Sequence, residues 1–412
     1  MKPPSHRRLL LSCAVLLACA AWHASPRAQD ASGYALHDLG AIDGSFVGPV
    51  PFALTGVCIG AAFVAGGGTG AFSYSGSGIG DLSSIYGSSG GSYFVNAAGE
   101  VAGQSAASGA SQGFLYAGGK YAVLGSLGGT GTWVTGLNAG GEVIGYSNEA
   151  GNASAHAFAW SGGQITDLKT LGGSGSSAIA VNDSGQVVGD SYIAGDAASH
   201  AFLYTGGTML DLGTLGGSTS AAIAVNAAGV VVGTSTLGGN AASHAFAYAG
   251  GAMSDIGTLG GSKSTAVAVN GAGQVVGNST LAGNAATHAY SWSGGRLTDL
   301  GTLGGANSYA VGVNSSGAVV GLAQAGDASM HAFLYLDGRM VDLSQMFPNL
   351  KNLVVTGIND AMQIMATATT AAGVTRAFTV SAVPEEDGAA LALAGFAALA
   401  WIARRRRRAA AA

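Results

Sequence analysis

Short runs of apolar and small residues, five to seven positions long, recur along most of the chain. In the copy that begins near Ala221 they read Ala-Ile-Ala-Val-Asn, Val-Val-Val-Gly-Thr-Ser, His-Ala-Phe-Ala-Tyr and Ala-Met-Ser-Asp-Ile. Such runs are too short for ordinary helices and are rich in Val, Ile, Phe and Tyr, so they predict β-strands. The breaks between them are turn-forming: Asn226-Ala-Ala-Gly229, Gly238-Gly-Asn and Gly250-Gly. A glycine supplies the positive φ that a tight hairpin needs. Each unit therefore predicts four antiparallel strands.

The unit repeats at a fixed period. His-Ala-Phe or a near variant stands at His156, His200, His244, His288 and His331, in steps of 44, 44, 44 and 43 residues. Degraded copies, Gln112-Gly-Phe and Arg376-Ala-Phe, extend the series outward. Asp-Leu or an equivalent, Val-Asn or an equivalent, and the Phe or Tyr of the third run each occur eight times. Four strands in about 44 residues is the size of a β-propeller blade. The fold class expected is all-β, a propeller of about eight four-stranded blades, or seven if residues 41 to 75 form no full blade. An open β-solenoid is the structural alternative.

The stagger at the ends favours a ring. Tyr34 to Gly40 supplies a fourth-type strand with no first three before it. The last unit supplies three strands with no fourth after it. Joining the leftovers would close the ring and remove its exposed sheet edges. Small residues in Ala-x-Ala-Val-Asn suit an inner strand near the axis, and Phe and Tyr suit the widening space between blades.

Composition adds bounds. Gly is 71 of 412 residues with no Gly-X-Y register, and charged residues are only 9 % against 48 % apolar. That combination excludes collagen and a disordered linker. Nine of the 16 basic residues lie in the termini. Between Arg27 and Arg404 seven bases face all 21 acids, a net of −14. No basic stripe is available to neutralise phosphates, so a nucleic-acid partner is not expected. Cys58 stands alone beyond Cys13 and Cys19, so no internal disulfide is expected.

The termini read as targeting segments. Residues 1–29 have the basic start and apolar core of an export signal. Leu16-Leu-Ala-Cys19 also looks like a lipoprotein cleavage box, an alternative to simple cleavage. Residues 383–412 hold Glu385-Glu-Asp, an apolar run of 16 residues from Gly388 to Ala403, then Arg404 to Arg408. As a helix the run reaches about 24 Å, somewhat short of a bilayer core of roughly 30 Å. The arginines would hold that end in the cytoplasm.

Two resemblances follow from these residues. The Asp-Leu-Gly-Thr-Leu-Gly-Gly … Ala-Val-Asn-x-x-Gly-x-Val-Val-Gly … His-Ala-Phe pattern, over residues 34–382, resembles the HAF-repeat family of bacterial extracellular proteins. The tail resembles a PEP-CTERM sorting signal in Val383, Pro384, Glu385, the apolar helix and Arg404, Arg405, Arg406, Arg407 and Arg408. It departs from that pattern in having Glu386 at the second Pro position. The resemblance implies an exosortase-type sorting protease as partner, transient anchoring in the membrane, and delivery to the cell surface or exopolysaccharide matrix.

Candidate chemistry is sparse. One histidine per blade spreads around a ring instead of converging on a metal, so the five repeat histidines are read as structural, bonding a turn or the neighbouring blade. The Asp of Asp-Leu-Gly is read as a turn-former. No Gly-x-Ser-x-Gly stands out, and no His-Glu-x-x-His or calcium-binding nonapeptide is present. No catalytic residue, cofactor or metal is assigned. Any unique site is sought in the irregular blades, around Glu100, Trp133 and Glu142. Trp133, Trp160 and Trp292 pack between blades or, if exposed, stack on sugar. The function expected is a secreted, surface-sorted structural or binding component, not an enzyme, contacting matrix polysaccharide or surface proteins. The alternative is a polysaccharide-acting propeller enzyme, a glycosidase or lyase with a carboxylate pair.

Overall fold

The computed structural model describes residues 34–39, 93–105 and 110–382, together with the backbone of the strands Ala28–Gln29, Cys58–Val64, Gly68–Ser75 and Gly78–Asp81. Of residues 1–29, read from the sequence as an export signal, all but Ala28–Gln29 lie outside the described residues, as do residues 383–412, read as a sorting tail.

The regular unit is clearest at Gly216–Val225, Val231–Leu237, Ser243–Ala249 and Ala252–Gly257. These strands pair antiparallel in chain order. The hairpin between the first two forms because Asn226 accepts from the Gly229 N–H and Gly229 adopts φ 79°. The same four-strand unit recurs at 128–169, 172–211, 260–299 and 304–342, and with a shorter first strand at 93–123. Residues 58–81 supply three paired strands. Units 216–257 and 260–299 are joined by one parallel bridge, Ser243 to Lys263.

The last sheet carries Lys351–Ile358, Ile364–Thr369 and Thr375–Ala382. Its fourth strand is Tyr34–Asp38, paired antiparallel to Thr375–Ala382 with Tyr34 opposite Ala382 and Asp38 opposite Phe378. The N-terminal strand therefore takes the fourth position that the sequence left empty. Ala28–Gln29 adds a short fifth strand.

Successive sheets pack face to face. First strands of successive sheets touch each other along the array, whereas fourth strands meet little. Fourth strands are the most exposed, as in Thr208–Asp211. Second strands are covered on both faces, so Val231, Val232 and Gly233 are all buried in succession. That explains why this run reads as continuous Val-Val-Val instead of alternating. Apolar clusters lie between sheets: Val188, Ala201 and Leu203 of one pack with Ala222, Val231 and Phe246 of the next. Strand order, packing and the small-residue inner strands are those of propeller blades.

Glycine in Val-Val-Gly has a packing cause. A Cβ on Gly233 would lie 2.0 Å from the Ala221 carbonyl oxygen and 2.7 Å from the Phe246 ring. Gly233 is the cross-strand partner of Phe246. Thus the aromatic ring of His-Ala-Phe lies over a glycine, whose first obstruction is the Ala221 backbone.

A helical turn that the repeat pattern did not announce, Leu343–Met346, follows the strand Arg339–Asp342. Asp342 caps it by accepting from the Gln345 N–H at 3.1 Å.

Candidate functional site

The repeat histidines share one partner type, an aspartate. His200 Nδ1 lies 2.9 Å from Asp211 Oδ2, His244 2.9 Å from Asp255, His288 2.9 Å from Asp299, and His331 2.7 Å from Asp342. His156 lies 3.1 Å from Asp167 Oδ1. Each pair joins the third and fourth strands of one sheet, so the partner is neither a turn nor the neighbouring blade, as sequence reading expected. The strand register brings the two together, because His stands two positions before the aromatic residue and Asp opposite that residue. The Asp also receives the backbone N–H of the residue two positions on: Gly213, Gly257, Gly301 and Lys169. In the last sheet Arg376 replaces the histidine and pairs with Asp38 of the N-terminal strand.

The 128–169 sheet departs from this pattern. Glu149 Oε1 lies 3.3 Å from His156 Nδ1, and the ligand atoms of Glu149, His156 and Asp167 fall within 4.8 Å of one another. Lys169 Nζ stands 2.5 Å from Asp167 Oδ2. Burial pushes the Asp167 carboxyl up, but the Lys169 and His156 contacts outweigh it and hold the group below its ordinary value. The ammonium thus supplies the positive charge that the carboxylates call for.

In the 304–342 sheet Ser329 Oγ lies 2.9 Å from His331 Nε2, and His331 Nδ1 faces Asp342. This is the hydrogen-bond order of a serine nucleophile with its base. However, Ser329 Oγ also lies 2.5 Å from Asp327 Oδ1, and the Ser329 N–H donates to that carboxylate. The Ser329 hydroxyl and N–H are thus both engaged by Asp327.

The asparagine of Val-Asn forms a ladder that sequence reading passed over. Asn138 Nδ2 donates to the Asn182 carbonyl at 3.1 Å, Asn182 to Asn226 at 2.9 Å, Asn226 to Asn270 at 2.9 Å and Asn270 to Asn314 at 2.9 Å. Asn96 donates to Asn138 and Asn314 to Asn359. Each Oδ1 caps its own hairpin, as Asn226 does for the N–H groups of Ala228 and Val230. All seven asparagines are buried. The signal was visible as a polar residue at the end of every apolar inner strand, which burial makes costly unless it is fully paired.

Glu100 and Glu142 belong to this ladder. Glu100 Oε2 accepts from Asn96 Nδ2 at 2.6 Å, and Glu142 Oε2 from Asn138 Nδ2 at 3.1 Å. Burial raises the Glu142 carboxyl and the Asn138 bond offsets part of that. Gln186, Gln274 and Gln363 hold the same position in other sheets. Trp133 is not brought to them. It stacks on Tyr146 with ring centroids 5.1 Å apart and planes 15° apart. Trp160 is buried.

A cleft of about 330 Å³ opens where the 128–169 and 172–211 sheets meet. Its walls include Tyr146 and Ser154 from one sheet and Gly175, Ser177, Asp190 and Tyr192 from the other. Asp190 Oδ2 accepts from Ser199 Oγ at 3.0 Å, and burial pushes its carboxyl up against that bond.

No family model matches the chain, and no curated protein does. Among solved structures, it is similar to the β-propeller domain of the trilobed protease from Pyrococcus furiosus, described as having an open velcro topology. The TM-score is 0.47 at 11% identity, over 73% of this chain and 98% of that one. It is also similar to a Mycobacterium tuberculosis puromycin-hydrolyzing peptidase, with TM-score 0.42 and 11% identity over 69% and 52%. A third is the Aleuria aurantia lectin, with TM-score 0.31 and 13% identity over 72% and 95%. At these scores the likenesses transfer neither a residue nor an activity.

Proposed function

We propose that the chain is an exported eight-bladed propeller, closed by its N-terminal strand, that serves as a structural or binding component of the cell envelope or exopolysaccharide matrix. The HAF-like repeat and the PEP-CTERM-like tail support this location. An exosortase-type protease would cut the tail and release the propeller from its membrane helix.

The observation that carries the binding reading is the occupation of the repeated polar groups. The five His–Asp pairs and the asparagine ladder spend their hydrogen bonds on the scaffold. Contact with a partner is then left to loops and to positions where the repeat breaks, and many such contacts act together by avidity. The glycosidase alternative needs two carboxylates facing one bond. Asp190 is the single carboxylate lining the cleft described above.

Fractionation of the native host, with and without the sorting protease and with a label placed after residue 30, tests the reading. Release into the matrix with loss of the arginine tail is expected, together with retention of the released protein on matrix polysaccharide. An intact tail that stays in the membrane in both strains would refute the sorting step.

A further inference from the structure

The cleft between the 128–169 and 172–211 sheets exists because the repeat is broken on both sides of it. At the equivalent of Gly175 the later sheets carry Thr219, Lys263 and Asn307. Asn307 reaches back across its junction and accepts the Thr287 N–H at 2.9 Å. Lys263 bridges to Ser243 through its backbone. Gly175 has no side chain to make the Asn307 contact, and faces Ala155, whose carbonyl oxygen would lie 3.2 Å from an added Cβ. Two small residues opposite one another leave the junction open. Gly131 begins the preceding junction, but there the Trp133 ring occupies the space, 2.3 Å from where a Cβ would stand.

The two tyrosines of the opening replace residues that make junction hydrogen bonds in other sheets. At the equivalent of Tyr192, Thr236 accepts the Thr219 N–H, Thr280 accepts the Lys263 N–H and Gln324 accepts the Ala306 N–H. Tyr192 instead presents a large ring that is 46% exposed. At the equivalent of Tyr146 and Asp190, Asn278 accepts the Ala310 N–H of the next sheet. Tyr146 is braced by stacking on Trp133, which fixes its ring at low entropic cost.

We propose that this cleft is a saccharide subsite that takes a neutral hexose unit. The inference rests on the polysaccharide-binding reading above and names its site. Tyr146 and Tyr192 offer aromatic surface to the C–H faces of a sugar ring. Asp190 offers an acceptor to its OH groups and Ser177 a hydroxyl, while Ser154, whose proton goes to Glu149 Oε2 at 2.7 Å, offers its oxygen as an acceptor. This mix of aromatic surface with a few polar groups is what a polyol requires and what a purely apolar ligand does not. None of the residues lining the cleft is cationic, and the carboxylate of Asp190 repels anions, so uronates and phosphates are disfavoured. The volume lies at the lower end of ligand sites, about 300–1,000 Å³, which suits a short stretch of saccharide.

The test uses the full chain titrated with glucose, galactose, mannose and their N-acetylated forms, with glucuronate as the charged comparator, followed by ligand-observed NMR. At least one neutral sugar is expected to bind, with glucuronate at least tenfold weaker. Tyr192→Ala should weaken binding tenfold or more. Gly175→Asn installs the residue found at 307 and should close the cleft and abolish binding, with an unchanged unfolding midpoint showing that the fold is intact. Binding that survives both variants, or a preference for glucuronate, overturns the assignment. Retention on host matrix polysaccharide is measured on the same variants. If retention persists while no simple sugar binds and the variants change nothing, the subsite is wrong and the binding reading stands. If the wild-type chain is not retained either, both fail.

Discussion

Asn226 illustrates how one side chain joins local and long-range structure. Its Oδ1 shapes a hairpin and its Nδ2 holds the next sheet. Asn226→Ala leaves two hairpin N–H groups without their acceptor, each costing about 1–3 kcal/mol, and takes one of two donors from the Asn270 carbonyl, which keeps the Gly273 N–H. A loss of about 3 kcal/mol is expected in urea unfolding. Asn226→Asp keeps the hairpin acceptor but sets a carboxylate against the Asn270 carbonyl, so it should be no milder. Gly233→Ala is expected to be worse than an ordinary strand substitution, at about 3 kcal/mol or more, because the obstructing atom is backbone. Asp190 gives a pH signature. Its folded carboxyl is raised, so the folded state binds more protons than the unfolded one between the ordinary value of 3.8 and the raised value. Stability therefore falls as pH rises through that window, and the penalty persists at neutral pH. Asp190→Asn should remove this slope, which thermal unfolding from pH 3.5 to 7 measures.

At the scale of the strand, the junctions between sheets rest on a serine that opens no chemistry. Ser220 accepts the Ala201 N–H at 2.9 Å and donates to the Gly213 carbonyl at 2.5 Å, tying one sheet's third strand and connector to the next sheet's first. Ser264 and Ser308 repeat this. After 304–342 the serine comes instead from the helical turn, where Ser344 accepts the Ala332 N–H. Ser220→Ala strands a buried donor, and a loss of about 2 kcal/mol in denaturant unfolding is expected. His244→Ala should cost less, about 1 kcal/mol or under, because Asp255 is well exposed and water replaces the imidazole. The strands themselves were legible from alternation, glycine turns and period. The helical turn was not, since Leu-Ser-Gln-Met replaces a connector only once. The serine bridges escaped notice because Ser in a strand reads as a neutral small residue until its neighbour in space is known.

At the scale of the molecule, the two ends of the repeat array meet in one sheet. Deleting residues 34–39 removes the strand that covers Thr375–Ala382 and leaves an open edge. A lower unfolding midpoint and concentration-dependent association in size-exclusion chromatography are expected, with Asp38→Ala showing a smaller shift from loss of the Arg376 pair.

The all-β class, the unit length, the four strands and the pairing of the two chain ends were determined by the sequence alone, because period and turn chemistry are properties of the chain. The partner of each histidine, the ladder of asparagines and the cleft beside Gly175 were decided only by the tertiary structure. Each depends on what stands opposite across a strand pair or a sheet junction. A residue 11 or 44 positions away becomes a neighbour only after the sheets have twisted and stacked. Glycine at 175 reads as one more glycine among 71 until Ala155 is seen to face it.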